Sequence, residues 1–352
     1  MTARARAIAD GLQHIVGVEP VSASNYLVKG WLDQGALSVV YGESNVGKSF
    51  FAMDLALHVA SGVDWHGFRV DPKQDPVVYF AAEGGVGIAN RIEAARRERS
   101  HIVENAEFNL LRFSLDLCGP QDVLELQSAL KTLPFAPSLI VVDTVARVMG
   151  AGDENTAKDM GALVANLDRL RGALGSHVML IHHSGKDTSK GARGSSALRA
   201  AVDTEIKITR VDDVIQAETQ KQRDMECGAV FAYRLQRVEI GTDSDGDPIT
   251  SAVVQATEPV EKKPKLTGQQ GIGLQALDEA LAEHGARIVG DNYPLNRRCV
   301  TLQKWREYCD RHALSSGESD SARRKAFFSV KNALHEKGII RVFDDNVWRC
   351  EA

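Results

Sequence analysis

The sequence predicts an α/β protein with a mostly parallel sheet, an antiparallel extension of that sheet, and a small separate α+β domain at the C-terminus. Three observations predict it. Short β-branched runs alternate with helical periods between Leu37 and Ile181, the pattern of a parallel sheet covered on both faces. From Glu205 the pattern changes to strict alternation, as antiparallel strands require. A charged stretch with two prolines, Glu258 to Gly268, then isolates a last segment of helical periods ending in a short β pair.

Residues 1–35 read as a helical lead-in (1–24) and a connector ending in Trp31-Leu32-Asp33-Gln34-Gly35. Leu37 to Tyr41 is a buried strand, and Phe50 to Ala60 carries apolar residues at helical spacing. Val77 to Ala82 is a second buried strand, ending at Glu83-Gly84-Gly85. Helices follow at Ile88 to Arg99 and Gln121 to Leu133, with a further strand at Phe108 to Phe113. Leu139 to Val142 is a third buried strand, with Asp143-Thr144 at its end. Thr156 to Leu174 is a long helix, and Val178 to Ile181 a fourth strand ending at His182-His183. The polar loop Ser184 to Ser196 comes next. EIKITR, VIQAETQKQR, FAYRLQRVEI and ITSAVVQATE read as antiparallel strands, with GTDSDGDP a hairpin turn whose aspartates do not complete a calcium loop. The core thus spans 25–257, the linker 258–268 and the last domain 269–352. That domain carries helices at Leu274 to His284, Thr301 to His312 and Ser321 to Lys337, and a β pair turned at Asp344-Asp345-Asn346. It resembles a winged-helix domain. Arg323, Arg324, Lys325 and Lys331 on its third helix suit a recognition helix or, equally, a solvated basic face.

Chemistry concentrates at Gly42-Glu43-Ser44-Asn45-Val46-Gly47-Lys48-Ser49, which fits G-x-x-x-x-G-K-[ST] at every fixed position, between a strand and a helix beginning near Phe50. Gly42 and Gly47 let backbone N–H groups turn inward on an anion, and the helix adds its unpaired N–H groups and the positive end of its dipole. Lys48 supplies a point charge for β- and γ-phosphates, and the Ser49 hydroxyl can ligate Mg²⁺. The pattern therefore implies a nucleoside triphosphate, ATP with Mg²⁺, against the plainer reading of a glycine turn.

Ligands of a parallel sheet bind outside the carboxyl ends of its strands, and here those ends bring Glu83, Asp143 and His182/His183 beside the loop. Asp143 is placed to hold Mg²⁺, and Glu83 to activate a water. Adjacent residues on a strand point opposite ways, so at most one of the two histidines faces a phosphate.

Composition is that of an ordinary globular protein, with no apolar run long enough to span a membrane. The N-terminus lacks a signal-peptide apolar core, which predicts a cytoplasmic protein. Five scattered cysteines with no C-x-x-C pairing argue against a disulfide framework or a zinc site. The net charge of −5 is uneven: from Lys262 onward 16 Lys+Arg face 12 Asp+Glu, against 26 and 35 before it. A mildly basic tail on an acidic body hints at nucleic-acid contact by the tail.

LSVVYGESNVGKS, VVYFAAEG, LIVVDT, VMLIHHSGK, GARGSSALRAAVD and TQKQRD together resemble the RecA-like ATPases. Within these the chain resembles the hexameric replicative helicases of the DnaB type, most closely the small RepA-like plasmid and phage helicases, over roughly residues 25–257. The resemblance implies Glu83 as catalytic glutamate, Asp143 as Walker B acid and His183 as γ-phosphate sensor, with Gly42 to Phe50 around the nucleotide. It implies that the loop 184–196 touches single-stranded DNA, with Lys186, Lys190 and Arg193 as its cations, though Arg193 could instead face the next subunit's nucleotide. It implies that Lys221 and Arg223 reach the neighbouring subunit's nucleotide in a homo-oligomer of six. Two features depart from the pattern. No helical primase-binding domain of the DnaB kind precedes the core, and the basic tail lies outside the core pattern, which leaves a replication partner protein open. A recombination ATPase forming filaments and an ATP-dependent regulatory switch remain the alternatives.

Overall fold

The computed structural model describes residues 2–12, 14, 25–82, 86–184, 196–223, 226–260, 266–288, 290, 293–294, 297–317 and 319–350. The chain divides into two compact units, Met1–Val260 and Glu261–Ala352.

In the first unit, α1 (Ala3–Asp10) is followed by the short antiparallel pair β1 (Tyr26–Val28) and β2 (Leu32–Asp33). Then come β3 (Leu37–Gly42), α2 (Lys48–Ser61), β4 (Val77–Ala81), α3 (Val86–Glu98), α4 (Ser100–Val103), β5 (Phe108–Leu111), α5 (Pro120–Leu130), β6 (Leu139–Asp143), α6 (Ala157–Leu174) and β7 (His177–His183). The unit closes with α7 (Ser196–Ala201), β8 (Thr204–Val211), β9 (Val214–Gln222), β10 (Val230–Thr242) and β11 (Pro248–Thr257). Nine strands form one sheet in the order β11-β10-β9-β8-β3-β7-β6-β4-β5. All pairings from β8 through β5 are parallel, and those among β8, β9, β10 and β11 are antiparallel. β8 corrects the reading of an all-antiparallel tail. It pairs antiparallel with β9 but parallel with β3, because the chain crosses over between β7 and β8 instead of turning back in a hairpin.

The central strands are buried on both faces, and their alternation sorts side chains into two cores. Tyr79, Val141, Met179 and Ile181 pack with α2 on one face. Val78, Phe80, Val142 and Leu180 pack with α6 on the other. α6 begins where the Thr156 side chain accepts the Asp159 N–H and ends where Gly175, at φ 72°, turns the chain out. The connector before β3 does more than link. Trp31 is fully buried, with ring centroids 5.3 Å from Trp65 and 6.1 Å from Phe51, so this segment seals the back of α2.

The second unit holds α8 (Gly268–His284), β12 (Val300–Thr301), α9 (Leu302–Arg311), α10 (Asp320–Glu336), β13 (Ile340–Phe343) and β14 (Asn346–Arg349), with sheet order β12-β14-β13. α8 opens on a capping box between Thr267 and Gln270. Leu277, Trp305, Phe327, Leu334, Ile340 and Val347 form its own core. The hairpin β13–β14 turns through Asp344, at φ 53°.

Candidate functional site

β3 ends at Gly42 and α2 begins at Lys48, so the intervening loop lies at the carboxyl edge of the parallel strands. Gly42 is irreplaceable for space, since a Cβ there would lie 2.5 Å from the Ile208 carbonyl oxygen on β8. Gly47 sits at φ 104°, a conformation that side chains resist. Its carbonyl accepts the Tyr233 hydroxyl at 3.2 Å, so β10 fixes the loop from below. Glu43, Ser44 and Asn45 are exposed, Val46 is buried, and Ser49 and Phe50 are half-buried. The Arg91 guanidinium lies 4.5 Å from the centre of the Phe50 ring. No side chain caps α2, so its first N–H groups and its dipole act on the loop. Lys48 is only 5% exposed, and its ammonium donates to the carbonyls of Gly42 (3.1 Å) and Glu43 (2.7 Å).

The strand ends complete the cradle. His183 Nδ1 lies 3.3 Å from Ser44 Oγ and 3.4 Å from Lys48 Nζ. The next residue, Ser184, donates its N–H to the Gly42 carbonyl at 2.9 Å. His182 is fully buried. Of the two histidines, His183 is therefore the one on the loop side. Asp143 is buried at the end of β6, where Tyr79 donates its phenol O–H to Oδ2 at 2.7 Å. The phenol oxygen also meets the Ser49 hydroxyl. Burial first, then the Asp143 charge, push the Tyr79 phenol well above its ordinary range, so it stays a donor. Ser49 and Asp143 offer hard oxygen ligands, the donor type that suits Mg²⁺. Sequence reading missed Tyr79. The available signal was a hydroxyl in an otherwise apolar buried strand, where it needs a partner.

Glu83 and the loop cations Lys186, Lys190 and Arg193 lie outside the described residues. Lys221 and Arg223 are not brought to the loop of their own chain. They flank the end of β9, which pairs with the start of β8, at the edge of the sheet opposite Gly42. Lys221 Nζ donates to the carbonyls of Arg199 (2.8 Å) and Val202 (2.7 Å), closing the end of α7. Arg223, about half exposed, pairs with Asp203 at 2.7 Å.

Behind α2, the side chains of Asp54, His58 and His66 come within metal-ligand reach of one another. Asp54 is already served. Oδ2 accepts from Trp65 Nε1 (2.8 Å) and lies 2.9 Å from His66 Nε2, and Arg99 pairs with Oδ1. These partners outweigh the burial that opposes them and lower the pKa of Asp54. A guanidinium thus fills the cation's place, and the cluster ties α2 to the loop after it and to Arg99. In the second unit, α10 exposes Arg323, Arg324, Lys325 and Phe328, and Lys331 Nζ stands 5.1 Å from the Phe328 ring centre.

A strand, a glycine loop and a buried lysine at the switch between parallel strands define a RecA-like P-loop ATPase core. A family profile described as "AAA domain" matches residues 14–189, half of the chain. The chain belongs to this AAA domain family. No curated protein sequence matches it. Among solved structures it is similar to the ATPase domain of a helicase, at 12% identity and TM-score 0.45, covering 56% of this chain and 81% of that one. It is also similar to the RadB recombinase, at 17% identity and TM-score 0.41, covering 58% and 88%. Among the described residues no helix is long and apolar enough to cross a membrane.

Proposed function

We propose that this chain is an ATP-hydrolysing motor on single-stranded DNA, a replicative helicase of the RepA-like type acting as a ring of six in the cytoplasm. One observation carries the reading: His183 touches Lys48 and Ser44 of the phosphate loop, and the residue after it begins the segment 184–196. A side chain that feels the γ-phosphate is thereby one peptide away from the segment whose cations Lys186, Lys190 and Arg193 are assigned to DNA. Phosphate contacts of that kind are blind to sequence and sensitive to salt.

In this reading the residues Gly42 to Phe50 hold ATP, Lys48 neutralises the β- and γ-phosphates, and Ser49 and Asp143 hold Mg²⁺. Glu83 takes the proton of the attacking water. Mg²⁺, when bound, neutralises charge developing on the transferred phosphate. Lys221 and Arg223 serve the nucleotide of the next subunit. Their position at the far edge of the sheet suits service in trans, through a head-to-tail contact that closes into a ring. The second unit is read as a winged-helix module that docks DNA, or a replication partner protein, through α10.

Strand displacement on a forked DNA duplex tests this. ATP-dependent release of the displaced strand is expected. Hydrolysis stimulated by single-stranded DNA with no displacement would instead favour the recombinase reading, in which the same core forms filaments.

A further inference from the structure

The geometry points to Tyr79 as a positioning residue for the divalent cation, a role that rests on the assignment of Ser49 and Asp143 to Mg²⁺. Tyr79 lies in the middle of β4, fully buried, and faces the same side of the sheet as α2. Its phenol O–H donates to Asp143 Oδ2 at 2.7 Å, and the Ser49 hydroxyl reaches the same phenol oxygen. One side chain on a neighbouring strand therefore joins both candidate ligands, which come from β6 and from the first turn of α2.

The direction of the protons gives this contact its consequence. The phenol has a single proton, and it is spent on Asp143. The Ser49 hydroxyl must then be the donor to the phenol oxygen, so its proton is turned away and its lone pairs are left for a cation. The carboxylate in turn has Oδ2 fixed by a strong hydrogen bond, which sets the plane of the group. The ring cannot drift. It is packed between strands and stacked on Phe108 at 5.9 Å, with 29° between the planes. Both ligands are thus oriented before a cation arrives. Outer groups of this kind typically change metal affinity by about 10- to 100-fold.

The test is Tyr79→Phe in the full chain, which keeps the ring and removes the hydroxyl. Mn²⁺ affinity, read by electron paramagnetic resonance with a slowly hydrolysed ATP analogue bound, should weaken by about tenfold or more. Binding of the same analogue in EDTA should be unchanged, a separation that a general loss of packing would not give. Mn²⁺ affinity within twofold of the wild type would overturn the inference. If Tyr79→Phe does not fold because the Asp143 charge loses its donor, the comparison moves to Asp143→Asn and Tyr79→Phe/Asp143→Asn. Equal Mn²⁺ affinity in these two supports the inference, and a further loss in the double variant overturns it. Ser49→Ala and Asp143→Asn alone separate the underlying assignment. If neither alters Mn²⁺ affinity, the ligand assignment fails. If both do and Tyr79→Phe does not, only the role of Tyr79 fails.

Discussion

Lys48 Nζ lies 3.4 Å from His183 Nδ1, across the seam where β3 and β7 run in parallel. An ammonium can only donate, so the histidine nitrogen facing it is the acceptor. A γ-phosphate arriving at Lys48 competes for the same donor and alters what His183 touches. His183→Ala should therefore keep nucleotide binding but lose the response of hydrolysis to single-stranded DNA, as should Lys190→Ala/Arg193→Ala in the segment beyond. ATPase rates with and without DNA check this. Normal stimulation in His183→Ala would remove the histidine from the coupling.

Lys48→Ala should abolish binding of a fluorescent ATP analogue while leaving the circular dichroism spectrum intact. Glu83→Gln should bind the analogue normally and turn ATP over about 10²-fold more slowly or worse, the usual scale for a positioned general base. Single-turnover measurements distinguish the two defects. A Glu83→Gln protein with the normal rate would send the search for the base to another acid.

Lys221 and Arg223 should separate as well. Lys221 satisfies carbonyls at the end of α7, so Lys221→Ala should cost about 1–3 kcal/mol of stability besides any effect on turnover. Arg223 is about half exposed and paired with Asp203, so Arg223→Ala should leave thermal unfolding nearly unchanged. It should still lose ATPase activity. Mixed with Lys48→Ala, it should recover part of that activity, because some interfaces then join an intact loop to an intact arginine. Full activity of Arg223→Ala alone would end the assignment in trans.

Acid should weaken the fold through His177. Its Nδ1–H donates to the Asp33 carbonyl at 2.7 Å, and its Nε2 accepts from Ser38 Oγ at 2.7 Å, an arrangement that only the neutral ring can make. Burial drives its pKa from 6.5 down to about 4. The unfolded chain then binds more protons than the folded one between these values, so stability is full above about 6.5 and falls as the pH drops towards 4. Between pH 7 and pH 5 the loss from this group is about 2 kcal/mol. Urea unfolding at both pH values should show it, and His177→Gln should shrink the difference.

The sequence by itself determined the phosphate loop, the alternation of strands and helices, and the edge at which the chemistry gathers. These are local facts. Glycines at fixed spacing, β-branched runs and helical periods are set by neighbours in the chain. Asp143 and His183 were legible because each ends an apolar run, and in a parallel sheet such ends lie together. Tertiary structure decided what depends on partners far apart in sequence. It chose His183 over His182, since that choice turns on which face of β7 meets α2. It made β8 parallel to β3, which only the crossover fixes. It buried Trp31 behind α2, where the sequence showed a connector. It set Lys221 and Arg223 at the edge opposite Gly42, because β9 runs antiparallel to β8. And it joined Tyr79 to Asp143 and Ser49, a contact between groups 64 and 30 positions apart along the chain. A buried hydroxyl announces that it needs a partner, but its position in the folded sheet decides which partner it finds.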